Sequence, residues 1–86
     1  MACGDESAAG VSWTLAPGDR RASEPHRPGS LELLTVQAGT VALDVGEHHV
    51  DIPTGDSAWF DATGPHAYAN PAATVATFAL VVLEPA

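Results

Sequence analysis

The stretch Gly55–Asn70, GDSAWFDATGPHAYAN, decides how the rest of the chain is read. A Gly-Asp turn opens it, a short run carrying Trp59 and Phe60 follows, Gly64-Pro65 turns the chain again, and a second run opens with His66. Runs this short, punctuated by Gly and Pro, read as strands joined by turns. Side chains on a strand alternate faces, so His66, Tyr68 and Asn70 point the same way. They form a polar set in a chain whose other strands are mostly apolar on one face.

Working outward from it, the same pattern recurs. Leu31–Ala38 is followed by Gly39, Thr40–Val45 by Gly46-Glu47, and His48–Ile52 by Pro53-Thr54-Gly55-Asp56. His66–Asn70 stops at Pro71, and Ala73–Leu83 closes the pattern. No segment shows a capped helical stripe. Strands with turn signals at this spacing predict an all-β sandwich or barrel. Glu32, Leu34, Val36 and Ala38 share one predicted inner face. Val41, Leu43 and Val45 face inward on the next strand, and Val50 and Ile52 on the one after. The last strand is apolar on both faces from Phe78 on, so it is buried on both sides, centrally in a sheet or against a partner chain.

Upstream, Val11–Leu15 is a strand carrying Trp13. Ala16–Ser30, with Pro17-Gly18, Pro25 and Pro28-Gly29, reads as a long irregular loop of the kind that is often functional. Residues 1–10 are small, polar and acidic, and are expected to be disordered; residues 11–86 form the domain.

Composition narrows the function classes. Eighty-six residues make one small domain, which pairing with a second copy would help to stabilise. Lysine is absent, and Arg20, Arg21 and Arg27 stand against eleven acids for a net charge of −8. Direct binding of a nucleic-acid backbone is therefore not expected, nor is attraction to anionic membranes. One cysteine, Cys3, excludes a disulfide within the chain and a Cys-based zinc site. Met1–Gly4 shows neither the charged nor the apolar region of a signal peptide, and the longest apolar run, Phe78–Leu83, is too short to span a bilayer. The expected setting is soluble and cytoplasmic.

A carboxylate facing inward at Glu32 needs a compensating partner. His66 also faces inward, and His26 precedes Glu32 at the mouth of the same strand. Two imidazoles and a carboxylate suit one divalent transition metal: zinc, iron, manganese or nickel. The competing use of the same residues is a hydrogen-bonded network with no metal. Tyr68 and Asn70 are candidate ligand contacts; their competing uses are a rim-seeking core phenol and a turn residue before Pro71. Trp59 and Phe60 are candidates as well, with packing the commoner use and one of the two lining the cavity. His48 and His49 are neighbours on a strand and so cannot both enter one site. The arginines either meet an anionic ligand at the mouth or pair with surface acids.

Two motifs in order make the chain resemble the cupins, small jelly-roll β-barrels. The first cupin motif is Gly-x5-His-x-His-x3,4-Glu-x6-Gly, and His26, Glu32 and Gly39 fall in its register. The second is Gly-x5-Pro-x-Gly-x2-His-x3-Asn, matched at Gly55, His66 and Asn70. The departures are Arg20 and Pro28 in the first motif, at a glycine and the second histidine, and Asp61 and Thr63 in the second. Three of four usual metal ligands therefore remain: His26, Glu32 and His66. The wording of Ser23–Glu32 and Pro65–Asn70 is most similar to the sensor cupins that follow a helix-turn-helix in XRE-type regulators. That resemblance implies a single-domain cupin barrel, a sensor module without its DNA-binding part, that binds a small molecule and forms a homodimer through its terminal strands. The alternative it implies is a metal-dependent cupin enzyme, of dioxygenase or isomerase type, using the two histidines and the glutamate.

Overall fold

The computed structural model describes residues 6–85, with side chains from Gly10 onward. Eight strands follow one another: β1 (Glu6–Leu15), β2 (Arg20–Ser23), β3 (Leu31–Ala38), β4 (Thr40–Val45), β5 (His48–Pro53), β6 (Ser57–Asp61), β7 (His66–Ala69) and β8 (Ala76–Pro85). They form two four-stranded antiparallel sheets, in the orders β1-β8-β3-β6 and β2-β7-β4-β5. Consecutive strands thus alternate largely between sheets, which is the jelly-roll arrangement expected from the sequence.

The turns explain why the strands stop where they do. Asp56 N–H donates to the Pro53 carbonyl, with Gly55 at φ +90° in the third position, the left-handed conformation a type II turn demands. Pro28-Gly29 repeats the device: Ser30 N–H returns to the Arg27 carbonyl and Gly29 sits at φ +87°. The core fills the space between the sheets with Leu34, Val36, Val41, Leu43, Ile52 and Phe78, all buried. The predicted inner faces of β3 and β4 hold, except that Ala38 is exposed at the end of β3 and Val45 is only half-buried.

Three expectations need correction. The disordered segment expected over residues 1–10 gives way at Glu6, where β1 begins; its first five residues lie outside the described ones. Backbone pairing causes the early start, because the ten-residue β8 offers β1 a partner from Glu6↔Pro85 to Leu15↔Ala76. The loop expected over Ala16–Ser30 contains β2, whose four residues lie between the Pro-Gly punctuations and pair with β7. Val50, expected inside, is 48% exposed, because β5 is an edge strand with cover on one side only. The last strand, expected over Ala73–Leu83, runs Ala76–Pro85 and lies centrally in its sheet between β1 and β3, with Ala76, Phe78 and Leu80 buried and the alternate residues half-buried.

Candidate functional site

Glu32 is the second residue of β3 and points between the sheets, where it is 1% exposed. His66 opens β7 in the opposite sheet, also buried. His26 comes from the loop before β3. Its backbone N–H donates to the Ala62 carbonyl at 2.9 Å, and Ala62 N–H donates to the Ser30 carbonyl at 3.0 Å, so the loop is tied at both ends of the Pro28-Gly29 turn. Three separate segments thereby converge. His26 Nε2 and His66 Nε2 each stand 2.9 Å from Glu32 Oε2, and the three side chains' ligating atoms lie within 4.8 Å of one another.

Hydrogen bonds fix the orientation of each group. His66 Nδ1 faces the Gly64 carbonyl at 2.9 Å, so Nδ1 carries a proton and Nε2 is the atom presented to Glu32. The other oxygen of Glu32, Oε1, accepts a hydrogen bond from the Tyr68 hydroxyl. Burial, and then the hydrogen bond and charge of Glu32, push the Tyr68 pKa far above the usual phenol range, so Tyr68 remains a donor. Phe60, across the strand pair from Glu32, sets its ring edge against His66 with centroids 5.4 Å apart. Tyr68 also packs against His66 and against Phe78.

The donor set fits a divalent transition metal. Two donors at right angles on an ion, each about 2.1 Å from it, stand about 3 Å apart. Each His–Glu pair has that spacing, and a buried carboxylate is the partner such an ion requires. Pro28 fills the place of a further histidine with a side chain that has no donor atom.

Beside this cluster lies a cavity of about 300 Å³, open on one side. Val11, Trp13, Leu80 and Val82 line one wall, and Arg21, Ser23, His26, Glu32 and Tyr68 also reach it. The predicted ligand contacts separate here. Tyr68 lines the cavity, and Phe60 buttresses His66 from behind. Trp59 points out of the outer sheet face and is 61% exposed. Asn70 is buried, but its amide donates to the Leu15 and Thr74 carbonyls and its oxygen accepts from Ala72 N–H, so it organises the chain around the end of β7. His49 is not near the site; it bridges Asp44 and Asp51 on the surface. Of the three arginines offered as meeting an anionic ligand at the mouth, Arg21 lines the cavity; the sequence reading missed Val11, Ser23, Leu80 and Val82. Alternation along Arg20–Ser23 would have found Ser23, had the segment been read as a strand.

A family model described as the cupin domain matches residues 11–83. The chain is 25% identical to the Cupin_2 domain of an XRE family transcriptional regulator from Enterobacter cloacae, covering 92% of this chain and 83% of that one, with a TM-score of 0.88. An HTH_3 family transcriptional regulator from Vibrio cholerae is likewise 25% identical over 92% of this chain, which spans 44% of that protein, with a TM-score of 0.85. The protein TT1209 from Thermus thermophilus is 31% identical over 86% of this chain and 69% of that one, with a TM-score of 0.72. No curated protein matches the chain.

Proposed function

The chain belongs to the cupin family, and on that footing we propose that it binds a small organic molecule between its sheets, beside one divalent transition metal held by His26, Glu32 and His66. One observation carries the reading: a buried carboxylate meets two imidazole nitrogens at 2.9 Å on the wall of an open cavity. Zinc, iron, manganese and nickel all suit two imidazoles and a carboxylate. Such an ion, when bound, supplies a Lewis acid with positions free for an oxygen-bearing ligand. The protein's part is to fix those donors: Gly64 sets the His66 tautomer, Tyr68 holds Glu32, and the Pro28-Gly29 turn holds His26.

The resemblance to the XRE regulator's cupin domain supports a sensing role in which binding, rather than turnover, is the output. The three-ligand set supports the second reading, a metal-dependent enzyme. The cytoplasm is the proposed location; no helix among the described residues is long and apolar enough to cross a membrane. A homodimer is proposed through the sheet that holds both terminal strands. Its outer face sets Trp59, Leu33, Val81 and Gly10 side by side across four strands, with Leu31 43% exposed beside them.

The test is elemental mass spectrometry on untagged protein purified without chelators, for the wild type and His66→Ala, with circular dichroism to confirm folding. Near-stoichiometric metal in the wild type and its loss in the folded variant is the expected result. Wild-type protein that stays metal-free after incubation with iron, manganese, nickel and zinc would refute the metal site.

A further inference from the structure

The three arginines have different fates. Arg20 Nη2 lies 3.9 Å from Asp44 Oδ2, on the outside of the β2-β7-β4-β5 sheet. Arg27 Nη2 donates to the Pro85 carbonyl at 2.7 Å. Arg21 stands directly across from Tyr68 in the β2–β7 pair, so both project to the inner side of their sheet. Among the described residues no carboxylate lies within ion-pair distance of Arg21, although the chain carries eleven acids. Instead its Cζ lies 4.2 Å from the centroid of the Trp13 ring, which comes from the opposite sheet. An arginine laid on an aromatic face is positioned by that contact while its in-plane N–H fork remains free.

We infer that the cavity is built for a small monocarboxylate with an apolar body, and that Arg21, poised on Trp13 at the mouth, selects it. This rests on the small-molecule reading above and narrows it to one chemical class. The carboxylate takes the paired N–H groups of Arg21, the arrangement that guanidinium offers best. The body lies on Val11, Leu80 and Val82, and the far end approaches Tyr68 and Glu32. A cavity of about 300 Å³ lies at the small end of ligand sites and suits a small ligand. Charge limits the ligand further. Glu24 and Glu32 also line the cavity, and Arg21 is its one arginine, so a polyanion such as a phosphate ester meets more repulsion than a single carboxylate does.

Hexanoate and its uncharged isostere hexanamide test this. Both are titrated into the protein as purified and again after dialysis against a chelator, so that a carboxylate bound only through metal is recognised. Calorimetry gives the affinities, and Trp13 fluorescence in a Trp59→Phe background reports occupancy of the mouth. The expected result, in both metal states, is that hexanoate binds tighter than hexanamide by about tenfold to a hundredfold, the worth of a charge-assisted bond. Arg21→Gln, an exposed position, abolishes that preference and leaves hexanamide binding in place. Hexanamide and hexanoate binding equally, or a preference that survives in Arg21→Gln or vanishes with the metal, overturns the carboxylate inference but leaves the small-molecule reading standing. Binding of neither probe overturns both.

Discussion

Removing one oxygen atom tests the whole buried cluster. In Tyr68→Phe the ring keeps its packing against Phe78, at 5.4 Å between centroids, and against His66. Only the hydroxyl that donates to Glu32 Oε1 is lost. Glu32 is 1% exposed, so water has no easy route to the oxygen left behind. A hydrogen bond to a charged acceptor contributes about 1.5–3 kcal/mol, and an orphaned buried acceptor costs a similar amount. We therefore expect metal-free Tyr68→Phe to lose about 2 kcal/mol of stability. In a domain of this size that lowers Tm by roughly 8–16 °C. Urea unfolding followed by circular dichroism measures it, with an unchanged m-value showing that the folded and unfolded states expose the same surface as before. Metal binding gives the carboxylate a second source of compensation, so the loss should shrink when metal is added. A loss below about 0.5 kcal/mol in metal-free protein, the least a typical hydrogen bond contributes, would refute the reasoning. Glu32 would then not depend on Tyr68.

The remaining expectations concern residues outside the cluster. Asn70→Ala removes three hydrogen bonds from a buried side chain and should cost about 2–3 kcal/mol, while hexanamide affinity of the folded protein stays unchanged. A selective loss of affinity would instead make Asn70 a ligand contact. His49 bonds first to Asp44 and then to Asp51, which raise its pKa above the ordinary 6.5. A histidine whose folded pKa is raised adds stability that is fully present below 6.5 and lost as pH rises through the folded value. Urea midpoints taken across that range should thus fall with pH in the wild type and fall less in His49→Gln; parallel curves would count against the bridge. The effect is small and weakens with salt, because all three side chains are exposed.

Turn chemistry and alternation carried most of the fold into the sequence. Pro53–Asp56 and Pro28-Gly29 could be read because only glycine readily takes the positive φ those turns require. The inner faces of β3 and β4 could be read because apolar residues recur there at every second position. What stayed hidden depends on pairing across the chain. Nothing in the small polar residues from Glu6 to Gly10 announces a strand; β8 makes them one. Arg20–Ser23 has no apolar alternation, and only β7 makes it a strand. In the site, Glu32 and His66 were legible as inward polar residues on apolar strands. Asn70 shares their parity along β7 and is equally buried, yet its amide is committed to the backbone. Parity gives the direction of a side chain and leaves its partner open. Trp59 illustrates the other side of the same rule: the parity that turns Phe60 towards His66 turns Trp59 to the outer face.

The pairing of β1 with β8 also sets the order in which the molecule can form. Leu15 meets Ala76 and Glu6 meets Pro85, so this wall closes only when opposite ends of the described chain come together. Contacts so distant in sequence are slow to form, because closure entropy is lost before any contact repays it. The β4–β5 hairpin, joined by two residues, can form long before. Val11 and Trp13 ride on that strand, so the cavity wall is complete only once β1 has paired. When β1 detaches, the apolar β8 becomes an unpaired edge, and an identical β1 from another molecule fits it as well as the original. Strand exchange of this kind needs a second molecule, so it grows with protein concentration.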